Sequence, residues 1–214
     1  MPLAAHINGD AGQSGIPVSS LPGITGAILA GGASSRMGTD KALLELAGER
    51  LLARVYQPMA SLFASTLLVT NNPERYSFLP CPAVPDLYPG EGSLAGIHAA
   101  LHHAPTDLVF VVACDMPFVS PELVRHICGL APGYDAVVPL SPDGIEPLHA
   151  LYRTSCLPVM ERMLENGEKR IRDLLNRVQS RMLPWEELVS LPGARRSFLN
   201  LNTPAEFAAA VADP

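Results

Sequence analysis

Lysine is nearly absent from this chain: among 214 residues there are two, Lys41 and Lys169, against 13 arginines. Acidic residues outnumber basic ones 21 to 15, a formal net charge of -6. No stretch gathers the positive charge needed to track a phosphate backbone, which excludes nucleic acid as the expected partner. Small anions stay open, because a few cations in one cleft outweigh a mildly acidic surface. Cysteine is sparse as well. Cys81, Cys114, Cys128 and Cys156 are widely separated with no Cys-x-x-Cys pair, which excludes a zinc knuckle or a disulfide framework. Cys114 and Cys128 lie among apolar neighbours and read as small core residues. No apolar run is long enough to span a bilayer, so no membrane role is expected. The first lysine or arginine is Arg36, so a secretory signal's basic start is missing and the expected compartment is cytoplasmic. Hydrophobic residues at 48% and charged ones at 17% describe an ordered globule with one sizeable core.

Residues 1–22 carry Gly, Ser, Pro and Asn without periodicity and read as a flexible leader ahead of one domain over 23–214. From Ile24 onward, short apolar runs alternate with helical patterns, as in a mostly parallel sheet wrapped by helices. Strands are expected at 26–29, 66–70, 108–113, 136–139, 149–153 and 198–201. Helices are expected around 51–61, 93–103, 121–130, 156–165, 171–177 and 204–211. Thr203, Pro204 and Glu206 form a capping box for the last helix, and Ser120-Pro121 opens another. Asp143-Gly144 reads as a turn. In an open α/β domain of this kind, ligands collect at the carboxyl ends of the strands.

The strongest single feature is the segment Leu29-Ala30-Gly31-Gly32-Ala33-Ser34-Ser35-Arg36-Met37-Gly38-Thr39-Asp40-Lys41, which follows an apolar strand directly. Small residues let backbone N–H groups turn toward a phosphate without β-carbons in the way. Arg36 offers a planar fork for phosphate oxygens and Lys41 a point charge. That one of only two lysines stands here strengthens the reading. The segment lacks both Gly-Lys-Ser/Thr and Gly-x-Gly-x-x-Gly, against a P-loop and against a dinucleotide-binding dehydrogenase. Gly90-Glu91-Gly92-Ser93-Leu94-Ala95-Gly96 mimics the second motif, but its spacing is one residue too long.

Leu-Ala-Gly-Gly-x-x-x-Arg-Met-Gly-x-Asp-Lys over 29–41 resembles the signature of the molybdenum cofactor guanylyltransferases, members of the nucleotidyltransferase superfamily. The likeness continues through Leu43-Leu44-Glu45-Leu46-Ala47-Gly48, Gly92-Ser93-Leu94-Ala95-Gly96, Ala113-Cys114-Asp115-Met116-Pro117-Phe118 and Phe198-Leu199-Asn200-Leu201-Asn202-Thr203-Pro204. Ser93 departs from the pattern, standing where many members have Pro. The resemblance implies an α/β fold: a single-domain, Rossmann-like three-layer sandwich with a mostly parallel central sheet. It implies transfer of GMP from GTP to the terminal phosphate of the molybdenum-pterin cofactor, with magnesium (Mg2+) as cofactor. Molybdoenzymes or their chaperones would take up the product. A sister enzyme using CTP or another phosphate acceptor is one alternative; a non-catalytic nucleotide-binding chaperone of the cofactor is another.

Asp115 closes the apolar run 108–113 just before Met116-Pro117, and a carboxylate at such a strand end faces the ligand crevice. Magnesium needs only one or two carboxylates beside phosphate oxygens and water, and the resemblance assigns Asp115 to both metal and nucleotide. Asp86, after Ala83-Val84, reads on its own as a solvated loop residue; the resemblance gives it a nucleotide contact. The second strand ends Thr70-Asn71-Asn72, where Thr70 matches the family's position and Asn72 its residue type. By the resemblance, Leu29, Ala30, Gly31, Gly32, Arg36, Lys41, Thr70, Asp86 and Asp115 bind the nucleotide, and Arg36, Lys41 and Asp115 are catalytic. Gly32, in place of a bulkier residue, leaves room for a purine. Asn200 and Asn202, two residues apart on an expected strand, share one face and by the resemblance meet the acceptor. Lys169-Arg170-Ile171-Arg172 is the one dense basic cluster and reads as a solvated helix start. His98, His102 and His103 read as surface or packing histidines, and Trp185 as core or partner surface.

Overall fold

The computed structural model describes residues 20–30 and 41–201, with Glu206 and Ala210 beyond them, and for Lys41 the backbone alone. The chain runs through strand β1 (Ile24–Leu29), the short hairpin β2 (Glu45–Leu46) and β3 (Glu49–Arg50), helix α1 (Leu51–Leu62), β4 (Ser65–Val69) and β5 (Ala83–Val84). It continues with α2 (Ser93–His103), β6 (Leu108–Ala113), α3 (Pro121–Gly129), β7 (Ala136–Ser141), β8 (Gly144–Ile145) and β9 (His149–Arg153). The last described elements are α4 (Leu157–Glu165), α5 (Ile171–Leu175), β10 (Ser180–Leu183), α6 (Trp185–Leu188) and α7 (Ala194–Ser197).

The main sheet has the order β10-β7-β9-β6-β1-β4-β5, with β8 paired to β7. Pairings β1–β4, β1–β6, β4–β5 and β7–β10 are parallel, whereas β9 runs antiparallel to both β6 and β7. In β1 and β6 every second residue turns to the same face. Ile24, Ile28, Phe110 and Val112 join α1 and α3 in one core. Ala27, Leu29, Val109 and Val111 join α2, α4 and α5 in the other. Strands buried on both faces read as continuous apolar runs, which is why these two were plain in the sequence. The result is the expected three-layer α/β sandwich with a mostly parallel sheet. No described helix is long and apolar enough to cross a membrane.

Ser120 caps α3 as expected, its Oγ accepting from the Leu123 amide at 3.2 Å. The turn expected at Asp143-Gly144 sits one residue earlier: Ser141 pairs with Gly144, leaving Pro142-Asp143 as the loop. Of the expected last helix, Glu206 and Ala210 are helical, while Thr203 and Pro204 lie outside the described residues.

The expected strand at 198–201 does not form. Helix α7 ends at Ser197, and Phe198 turns off it at φ −95° and ψ 2°. Phe198 and Leu201 are buried while Leu199 is 47% exposed, so burial recurs after three residues rather than two. Period-two alternation in the sequence misled because the apolar side chains answer to separate packing partners, not to one sheet face. Conversely, β10 was missed: Ser180-Arg181-Met182-Leu183 is an edge strand with only Leu183 buried, and it carries no apolar run.

Candidate functional site

After β1 the chain moves outward to β4 and β5 on one side, then crosses to β6 on the other side of β1. The strand order therefore reverses between β1 and β6, and a crevice opens at their carboxyl ends. Leu29 is paired with Ala113 there, the Cys114 amide donates to the Leu29 carbonyl at 3.1 Å, and the Ala30 amide donates to the Val69 carbonyl at 3.0 Å. Ala30 is the last described residue before the glycine-rich loop, one residue past the Leu29 carbonyl that receives the Cys114 amide.

Asp115 stands in a turn closed by the Met116 amide donating to the Ala113 carbonyl at 3.2 Å, and it is half-buried. Parallel pairing brings β4 and β5 to the same edge. The Thr70 amide donates to the Val84 carbonyl at 2.9 Å, so Thr70 and Asp86 lie at adjacent strand ends. Leu29, Ala30, Thr70, Asp86 and Asp115 thus share one rim. Gly31, Gly32, Arg36 and Asn202 lie outside the described residues. Lys41 opens a single turn of 3-10 helix, Lys41–Leu43, which leads into the β2–β3 hairpin.

The choice left open in Thr70-Asn71-Asn72 acquires a third member. Thr70 is buried and its Oγ1 accepts from the Asn72 amide at 3.1 Å. Asn71 reaches across instead: its Oδ1 accepts from the Asp86 amide at 2.9 Å, while the Asp86 carboxylate accepts from the Tyr88 amide at 2.9 Å. Asn71 carries no sequence signal of its own, because its partner is 15 residues away.

The segment expected to meet the acceptor is built differently from the strand expected there. Asn200 is on an irregular segment rather than a strand face, and its Nδ2 lies 3.5 Å from the Phe198 carbonyl. The Leu201 amide donates to the Asp115 carbonyl at 2.9 Å. Leu201 also packs with Leu46 and Leu51, so the segment touches both the hairpin after Lys41 and the Asp115 turn.

Behind the rim, His149 is fully buried between Phe110 and Phe198, with ring centroids 5.3 and 5.4 Å away and both rings edge-on. Among the described residues, neither of its nitrogens has a hydrogen-bond partner. Desolvation pushes its pKa down to about 3, so it is neutral in the fold. Glu146 is buried nearby in sequence, accepting from the Ser141 hydroxyl at 2.6 Å, and burial raises its carboxyl above the ordinary range against that bond. His98 packs edge-on to Tyr88, and burial lowers its pKa despite Glu161 at 3.5 Å. The basic cluster is tied down at one point, Lys169 pairing with Glu91 at 2.7 Å just ahead of α2. Both partners are partly exposed, so the pair contributes little to stability. Among the described residues, no group of three or more His, Cys, Asp and Glu is placed to hold a metal. Asp115, just beyond the carboxyl end of β6, carries hard carboxylate oxygens. That donor fits magnesium, which keeps waters and phosphate oxygens as its other ligands.

Comparison with known proteins follows the same architecture. Residues 26–182 match the family model described as a MobA-like NTP transferase domain. The chain is 39% identical over 182 residues to the probable molybdenum cofactor guanylyltransferase of Pelotomaculum thermopropionicum, covering 85% of this chain and 89% of that one. It is 38% identical over 184 residues to the protein of the same description from Carboxydothermus hydrogenoformans, covering 86% and 93%. Among solved structures, molybdopterin-guanine dinucleotide biosynthesis protein A from Archaeoglobus fulgidus superposes with a TM-score of 0.77 at 34% identity, over 88% of this chain and 97% of that one. With the matched segment running from β1 to β10 and enclosing the crevice, the chain belongs to the MobA-like NTP transferases.

Proposed function

We propose that the chain transfers GMP from GTP to the terminal phosphate of the molybdenum-pterin cofactor, releasing pyrophosphate, with magnesium as the metal. One observation carries this reading: the glycine-rich loop and Asp115 issue from paired residues, Leu29 and Ala113, on either side of the sheet's reversal point. Two of its relatives bear the description probable molybdenum cofactor guanylyltransferase.

An oxygen of the acceptor phosphate attacks the α-phosphorus of GTP, a new P–O bond forms, and the bond to the β-phosphate breaks. The attacking oxygen is already ionised, so no strong general base is required. The loop amides with Arg36 and Lys41 orient the triphosphate and take up negative charge as pyrophosphate departs. Asp115 would hold magnesium, which supplies neutralising charge to the phosphates when bound. Thr70 and Asp86 flank the nucleoside side, and Asn200 and Asn202 orient the pterin. A cytoplasmic setting, with molybdoenzymes or their chaperones taking the product, accompanies this reading.

The decisive experiment is pyrophosphate release from GTP, magnesium and molybdenum-loaded pterin, each omitted in turn. Release with all three and none when any is withheld supports the proposal. GTP binding without release overturns it in favour of a cofactor chaperone, and tighter competition by CTP than by GTP overturns the choice of nucleotide.

A further inference from the structure

The turn that carries Asp115 lies just beyond the end of the sheet ladder. The β6 ladder to β1 ends with the Cys114 amide, and 115–120 belong to no described strand before α3 begins. Several of the bonds to them come from more than 70 residues later. Ser197 is fully buried, and its Oγ accepts from the Ser120 amide at 3.0 Å. The same hydroxyl has the Phe118 carbonyl at 2.9 Å and the Gly193 carbonyl at 3.1 Å. The Gly193 carbonyl already accepts from the Ser197 amide at 3.0 Å, so the single hydroxyl proton serves Phe118 better. In return the Ser120 hydroxyl donates to the Pro192 carbonyl at 2.6 Å.

The contact is close as well as polar. Gly193 sits at φ 74°, and a β-carbon there would stand 3.1 Å from the Ser120 side chain, so the two segments meet nearly backbone to backbone. The Arg196 guanidinium covers the Phe118 ring at 4.1 Å. Four residues beyond Ser197, the Leu201 amide returns to the Asp115 carbonyl. Both ends of 115–120 are therefore fastened to one strap, 192–201, and that strap carries Asn200.

We infer that Ser197 is a positioning residue, whose hydroxyl sets the Asp115 turn against the segment bearing Asn200 and so fixes the spacing between the nucleotide and acceptor sides of the crevice. The functional part of this rests on the guanylyl-transfer reading. A hydroxyl serving stability alone would, when removed, lower the melting temperature and disturb all kinetic constants together. A positioning hydroxyl disturbs the acceptor side selectively.

The test uses the full chain with Ser197→Ala and with Ser197→Thr, which keeps the hydroxyl. In Ser197→Ala, amide hydrogen exchange at Ser120 and Leu201 is expected to quicken about tenfold, the effect of losing one buried hydrogen-bonding group, while β1 and β6 amides hold their rates. KM for the molybdenum-pterin acceptor rises about tenfold and KM for GTP stays within about twofold; Ser197→Thr restores the acceptor constant. Unchanged exchange at Leu201, or both KM values rising together, overturns the inference. Should Ser197→Ala not fold, exchange in the wild-type chain decides: Ser120 and Leu201 opening as one unit supports the tie, and protections differing by more than about tenfold overturn it. A wild-type chain that releases no pyrophosphate defeats the guanylyl-transfer reading, whereas the exchange result still judges the tie.

Discussion

The Leu201 amide donates to the Asp115 carbonyl at 2.9 Å, which sets the segment bearing Asn200 directly against the turn bearing the carboxylate. These residues are 86 positions apart, and Leu201 is itself buried against Leu46 and Leu51. A segment outside the sheet strands thus joins the Asp115 turn to the residues around Leu46 and Leu51. A tie of this kind couples the two segments: whatever shifts 198–201 bears on the Asp115 turn.

Asp115→Ala and Lys41→Ala should each lower pyrophosphate release about a hundredfold or more, the usual consequence of removing a charge from a phosphoryl-transfer site. Melting temperature should change little, since Asp115 is only half-buried. Steady-state assay beside a thermal melt checks both halves. Wild-type turnover in either pure variant defeats the assigned role.

Asn71→Ala removes the oxygen that receives the Asp86 amide and loosens the loop carrying Asp86. KM for GTP should rise about fivefold to tenfold, the scale of one lost hydrogen bond, with the acceptor's KM unchanged. Initial rates at varied GTP and fixed acceptor measure this. An equal rise in both constants would point to general loosening instead.

Acid should destabilise the fold through His149. Its pKa falls from 6.5 to about 3 on burial, so between those values the unfolded chain binds a proton that the folded chain refuses. Stability therefore rises with pH across that window and is lost as pH drops below about 6.5, by up to about 1.4 kcal/mol per pH unit. His98, also lowered, works in the same direction, and Glu146, raised, works against it just above the carboxylate range. His149→Leu should flatten the melting-temperature profile between about pH 6.5 and 5. Parallel profiles for the two proteins would rule out His149 as the cause.

Gly26 lies on β1 beneath α1, where an added β-carbon would stand 2.6 Å from the Phe63 ring and 3.0 Å from the Met59 methyl. Gly26→Ala should cost about 1–3 kcal/mol by overpacking, read as a lowered midpoint in urea. An unaltered midpoint would mean that the helix yields at no cost.

Most of the sheet was legible from the sequence because β1, β4 and β6 are buried on both faces, and burial on both faces writes an unbroken apolar run. The Asp115 turn was legible for a related reason: an acidic residue followed by Met116-Pro117 must end such a run, and a strand that ends beside the reversal point faces the crevice. What stayed hidden depends on contacts between distant segments. Edge strand β10 has one buried side chain to announce it. Residues 198–201 alternate like a strand, yet Phe198 is drawn toward His149 and Trp185 while Leu201 turns to Leu46 and Leu51. Asn71 and Ser197 are a small amide and a small hydroxyl with no local pattern; each matters through a partner 15 or 77 positions away. Local chemistry chose the strands and the loop, but packing across the chain decided which polar groups meet at the rim, because a hydrogen bond between remote segments leaves no periodic trace in either one.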